Sequence, residues 1–253
     1  MDLPIKQGSE TYDHRGKNVG IYMLHDLAGS PHNIYDIGVT FVEAGYSVRI
    51  PRLAGHGTSP IDLHDVTIDD ILHALRTDFK EYKAEMDYVI LFGFAFGGGL
   101  AQQLAFEFEV DGLILVNSIF EAPEKLIVDA LEEVELEHRF VPAGTLDIKN
   151  DRVKPDIYTE IPVPIILELP EFSEHLQEHA ADVFCPLLVL QSIDDHVYSP
   201  KNADYIVHKF SSREKHLIML QDSFHFATVD YDQERIAKQC IFFIKGLDPR
   251  RED

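Results

Sequence analysis

Short apolar runs alternate along the chain with segments whose apolar residues recur every three or four positions. Residues 19–24 (VGIYML), 46–50, 88–92, 112–117 (GLILVN), 186–191 (PLLVLQ) and 215–220 (KHLIML) read as six strands. Helices are expected over 31–44, ended by Gly45, and over 67–86, where Ile68, Ile71, Leu72, Leu75 and Phe79 share a face. Further helices are expected over 97–108, after Pro200, and over 235–245. Continuous apolar strands separated by helices predict a parallel sheet covered on both faces and wound right-handedly. Between residues 120 and 183 the alternation stops, and an acidic, helix-prone stretch takes over (EKLIVDALEEVELEH, then IILELPEFSEHLQEHAADV). An insertion there stands over the carboxyl ends of the strands, where open α/β sheets bind ligands. The expected organisation is a core of residues 1–119 and 184–253 with a lid over 120–183. An extra pair of packing helices is the plainer alternative.

The length of 253 residues suits one α/β domain, and 45% hydrophobic content is enough for a full core. Against 22 basic residues stand 44 acidic ones, a formal charge of −22. Such a surface repels nucleic acid and anionic membranes but leaves neutral lipids open as ligands. Cys185 and Cys240 read as buried thiols of a reducing compartment, a disulfide being the alternative. No amino-terminal apolar core of a signal peptide is visible, and no run is long enough to span a bilayer. A soluble, cytoplasmic protein without stable membrane insertion is expected, as a monomer or homodimer.

The candidate chemistry starts at Gly93-Phe94-Ala95-Phe96-Gly97, which ends an apolar strand and opens a glycine-rich helix. The spacing is that of the Gly-x-Ser-x-Gly elbow, where small residues flank a strained central position. Here that position is Ala95. After the fifth strand comes QSIDDHVYSP with Asp194 and Asp195, and after the sixth comes QDSFHFATVD with His225. Elbow, aspartate and histidine in this order are the arrangement of the α/β-hydrolase fold, in which the imidazole takes the nucleophile's proton and the carboxylate orients it. An oxyanion hole requires the amide of the residue after the elbow centre, Phe96, and a second amide after the first central strand, where Leu27 stands. Phe94, Phe96, Phe224 and Phe226 read as core and pocket wall. His56 reads as a structural turn, since no metal-ligand spacing accompanies it. The acidic runs at 132–137 and 230–234 read as solvated faces.

These residues resemble bacterial monoacylglycerol lipases and small thermostable carboxylesterases. The likeness is strongest in PRLAGHGTSP, DDHVYSPKNADYI and SFHFATVDYDQ. It implies Asp195 rather than Asp194 as the triad aspartate, His225 as the base, no cofactor and no metal. The implied ligand is a small-molecule ester or a monoacylglycerol. It also implies that Asp156, in the lid segment DIKNDRVKPDIYTEIPV, helps hold glycerol hydroxyls.

Two positions depart from the family pattern. Ala95 lacks the nucleophilic oxygen, so the chain as written is expected to be inactive or nearly so. Asp26 stands where family members carry glycine in the oxyanion loop. Pointing inward, its carboxylate would oppose an oxyanion; pointing outward, it would be harmless. The intact His225 loop favours a single change, engineered or recent, acting on an ester hydrolase. The alternative is a natural, non-catalytic ligand-binding protein of the same fold.

Overall fold

The computed structural model describes residues 4–143 and 146–247. Its amino-terminal part contains β1 (Tyr12–His14), β2 (Lys17–Leu24), α1 (His32–Glu43), β3 (Tyr46–Ile50), α2 (Pro60–Leu63) and α3 (Ile68–Ala84). Then come β4 (Tyr88–Phe94), α4 (Phe96–Glu107), β5 (Gly112–Val116), α5 (Glu124–Glu135), β6 (Phe140–Pro142), β7 (Glu160–Pro162) and α6 (Val163–Glu178). After a 3₁₀ turn at Ala180–Asp182, β8 (Leu187–Ser192), α7 (Lys201–Lys209), β9 (Lys215–Leu220) and α8 (Gln233–Leu247) complete the chain.

Seven strands form one sheet in the order β1-β3-β2-β4-β5-β8-β9, with every neighbouring pair parallel except β1 with β3. β4, β5 and β8 are buried along nearly their whole length, as their unbroken apolar runs require. α1 and α8 pack together on one face. On the other, α3 sets Phe79 and Tyr82 against Tyr22 of β2, with ring centroids 5.0 and 5.5 Å apart. All six expected strands are present. β1 was not anticipated, because three residues paired at a sheet edge carry no apolar run. α2 escaped for a similar reason: it is one turn, started by the Ser59 cap and Pro60.

The stretch between β5 and β8 holds α5, the antiparallel β6–β7 pair and α6. α6 lays Phe172 against Phe96 of α4, ring centroids 5.7 Å apart, so this segment packs directly on the helix that follows Ala95. Tyr158 donates its amide to the Ala28 carbonyl and ties the same segment to the loop after β2. Among the described residues no helix is long and apolar enough to cross a membrane. Both cysteines are free thiols; Cys240 is buried, whereas Cys185 is only half-buried. Burial pushes the Cys185 thiol up to about 12, so it stays protonated and unreactive at neutral pH.

Candidate active site

Parallel strands deliver their carboxyl ends to one edge of the sheet. β2 ends beside β4 with Leu24 opposite Gly93, so the loop from His25 to Gly29 meets the turn at Ala95. Ala95 adopts φ 55° and ψ −118°, a conformation that L residues rarely hold without support. Support comes from three backbone bonds. The Ala95 amide donates to Val116, and its carbonyl accepts from Gly98 and Ile119. The flanking glycines are obligatory: a Cβ on Gly97 would stand 2.3 Å from the Leu24 carbonyl oxygen, and one on Gly93 would stand 2.5 Å from that of Gly97. The turn is therefore a complete, strained elbow whose central side chain has no heteroatom.

His225 and Asp195 are brought together as the spacing predicts. His225 Nδ1 lies 3.1 and 3.0 Å from the two Asp195 oxygens, in a setting where both residues are buried. Facing a carboxylate, Nδ1 carries the proton, which leaves Nε2 as an acceptor on the neutral ring. Asp195 Oδ1 also accepts from the amides of Val197 and Tyr198, so the carboxylate cannot rotate away. Burial lowers the affinity of His225 for its second proton. The charge and hydrogen bond of Asp195, with Asp26 and Asp147 behind, outweigh burial and leave the imidazole above its ordinary value.

Asp26 points inward. It is 6% exposed, and its Oδ1 accepts from the Phe96 amide at 3.2 Å. Phe96 begins α4, so the carboxylate occupies the positive end of that helix, where an anion is favoured. One of the two expected oxyanion donors is thus already taken by a side chain of the chain itself. Leu27, the other expected donor residue, is buried. Beneath it, His56 is wedged between the carbonyls of Ala54 and Leu27 at 2.9 and 2.8 Å, and His25 accepts from the Leu53 amide. Burial holds both imidazoles below their ordinary value. They brace the loop through backbone groups, which is the turn role expected of His56.

Asp156 is not part of this cluster. Its Oδ2 accepts from the Ser9 and Ser30 hydroxyls and its carbonyl from Asn33, so the carboxylate is spent on pinning the segment before β7 to the loop after β2. The expectation that it holds a ligand hydroxyl gains no support from these contacts.

Several residues that organise the site were missed by sequence reading. Asn117, just past β5 at φ 44°, donates to Ser192 Oγ and to the Phe224 and His225 carbonyls. Asp147, in the segment between β6 and β7, accepts from the His225 amide and from His196. Asp230 and Asp232 correct the expectation of a solvated acidic face. They are 4% and 2% exposed and accept backbone amides around the His225 loop. A cavity of about 620 Å³ lies against this assembly, lined among others by Leu126, Ala143, Asp147, Ile161, His196 and Val197.

An elbow after β4, an Asp–His pair from the ends of β8 and β9, and a mostly parallel covered sheet define an α/β hydrolase. The profile of the Hydrolase_4 family (serine aminopeptidase, S33) matches residues 19–232, and the chain belongs to that family. It is 30% identical over 244 residues to the thermostable monoacylglycerol lipase of Bacillus sp. (strain H-257), covering 96% of this chain and 97% of that one. A solved structure from work on LipS and LipT, two metagenome-derived lipolytic enzymes, superposes with a TM-score of 0.91 at 29% identity, over 96% of this chain and all (100%) of that one. The monoacylglycerol lipase of Paleococcus ferrophilus shares the fold, with a TM-score of 0.80 at 14% identity over 98% of this chain and 100% of that one. The chain thus carries the scaffold of the esterase and monoacylglycerol lipase type.

Proposed function

We propose that this chain is a natural, non-catalytic member of that scaffold, which binds a small amphiphile where its relatives carry ester-cleaving machinery. The observation that carries this reading is the Phe96 amide bonded to Asp26 Oδ1 beside an elbow that holds Ala95. In a working site a serine at position 95 would attack the ester carbonyl. His225 would act as base and then acid, Asp195 would orient it, and the amides of Leu27 and Phe96 would hold the oxyanion. Loss of the nucleophile alone costs about 10⁶ in rate, and loss of an oxyanion donor a further factor of about 10²–10³. Two losses in one site favour a binding role over a single recent substitution. The segment between β5 and β8 acts as the lid in this reading, because it packs on α4 and is tied to the loop of Asp26.

One observation speaks for a latent ester hydrolase acting on short- to medium-chain esters or monoacylglycerols. The strained elbow and the His225–Asp195 pair keep working geometry. Hydrolysis of p-nitrophenyl butyrate and 1-monolauroylglycerol separates the two readings. The unaltered chain and Ala95→Ser should both stay near background, and Ala95→Ser with Asp26→Gly should gain strongly over either. Esterase-level turnover by Ala95→Ser alone would make Asp26 harmless and restore the single-substitution reading.

A further inference from the structure

A second cavity, of about 460 Å³, lies between α3, α4 and α6 and shares no residue with the one beside Asp147 and His196. α3 lines it with Ile68, Leu72 and Arg76, which share a face at spacings of four. α6 contributes Glu168, Glu171, Phe172 and His175, again one face, running two turns or about 10 Å. Ile68, Leu72 and Phe172 are buried and give the cavity an apolar floor. Gln103 of α4 completes the wall.

The charges on this wall do not cancel. Arg76 is already held by Glu107, with Nε and Nη2 each 2.8 Å from a carboxylate oxygen, and Asp69 stands 3.6 Å from its Nη1. Glu168 Oε2 accepts from the Ile68 amide at 2.8 Å. Among the described residues neither Glu168 nor Glu171 has an ion-pair partner. Gln103 is 5% exposed, and its Nε2 donates to Glu107 Oε1 at 2.7 Å. A carboxylate can only accept, so this bond fixes which end of the amide carries the oxygen. Gln103 Oε1 is left buried, with no donor among the described residues. A buried acceptor in that state is costly, so the cavity lacks both positive charge and N–H donors.

We propose that this cavity binds a linear aliphatic polyamine, with ammonium groups on Glu168, Glu171 and Gln103 Oε1 and methylenes on Ile68, Leu72 and Phe172. The volume suits a small molecule of that kind. A metal ion asks for ligands that converge on one point, and among the described residues no three His, Cys, Asp or Glu side chains do so. An anion would meet two unpaired carboxylates. A polyamine carries separate charges along an apolar chain, much as the carboxylates are strung along α6 above an apolar floor. The chain's charge of −22 raises the local concentration of such a cation before any contact forms. The proposal stands whether or not the site at Ala95 turns over esters.

Calorimetry on the intact chain at pH 7.5 and about 0.15 M salt, where diffuse surface attraction is screened, compares spermidine trihydrochloride with magnesium chloride. Spermidine should bind one to one and at least about tenfold tighter than magnesium. Glu171→Gln should weaken spermidine at least about threefold, and Glu168→Gln combined with Glu171→Gln at least about tenfold. Glu174→Gln removes the same charge from an exposed position of α6 outside the cavity, and should leave the affinity unchanged. Gln103→Met removes the acceptor but no charge, at nearly constant volume, and should weaken binding about fivefold. Absence of saturable binding, magnesium as tight as spermidine, or equal losses from Glu171→Gln and Glu174→Gln would overturn the proposal. So would a folded Gln103→Met with unchanged affinity. Should Gln103→Met not fold, the comparison of Glu171→Gln with Glu174→Gln still decides.

Discussion

Asn117 donates its side-chain amide to the His225 carbonyl at 2.7 Å from a backbone held at φ 44°. The same side chain donates to Ser192 Oγ at 3.0 Å and accepts from the Ser192 amide at 2.7 Å. One residue thus sets the spacing of β5, β8 and the His225 loop. Asn117→Gly keeps the left-handed backbone and loses the bridges, and should cost about 2–3 kcal/mol in urea unfolding. Asn117→Ala should cost more, because it adds strain at positive φ. If alanine proves no worse than glycine, the strain part of this argument fails; wild-type stability in both removes the bridge as well.

Asp230 carries a comparable load. Its two oxygens accept from the amides of Lys149, Asn150, Phe224 and Tyr231, at 2.8, 3.0, 3.2 and 2.8 Å. Asp230→Ala leaves four amides without their acceptor and should destabilise by about 3–4 kcal/mol. Asp230→Asn, with a single accepting oxygen, should fall between. Equal melting temperatures for the aspartate and asparagine forms would show that the second oxygen contributes nothing.

The elbow glycines make a sharper forecast. Gly97→Ala drives a methyl into the Leu24 carbonyl, which is backbone and cannot swing aside. A loss of about 3 kcal/mol or more is expected, with insoluble expression as an equivalent result. Gly246→Ala is the control. A Cβ there meets nothing within 4 Å, so stability should hold or rise slightly.

These cases mark what the sequence could reveal. Strands buried on both faces announce themselves as unbroken apolar runs, and the order elbow, Asp195, His225 follows from where those runs end. Gly93 and Gly97 were legible because the close approach leaves no other residue type. Asp230 and Asp232 were misread because an acidic run at a helix start looks the same whether it faces water or backbone amides. Asn117 closes an apolar strand and carries no pattern of its own. The direction of Asp26 was undecidable from its neighbours, since both orientations suit the loop. It depended on the helix start that β4 brings alongside.

The electrostatics of His225 give the last forecast. Burial, the largest influence, pulls its proton affinity down, but Asp195, Asp26 and Asp147 reverse the sign. A histidine raised in the folded state stabilises the protein fully below its ordinary value of 6.5, and that contribution fades as pH rises through the folded value. Asp195→Asn removes the dominant carboxylate and leaves burial in command. The midpoint should then fall below 6.5, and the His225 contribution should change sign, so that stability grows as pH rises through that range. NMR titration of the His225 ring, with urea unfolding between about pH 5.5 and 8.5, reads both effects. Asp26→Asn should move the midpoint in the same direction by less, because that charge acts through space without a hydrogen bond to the ring. A larger shift from Asp26→Asn than from Asp195→Asn would mean that the carboxylate at the α4 start, rather than the one on Nδ1, governs the imidazole.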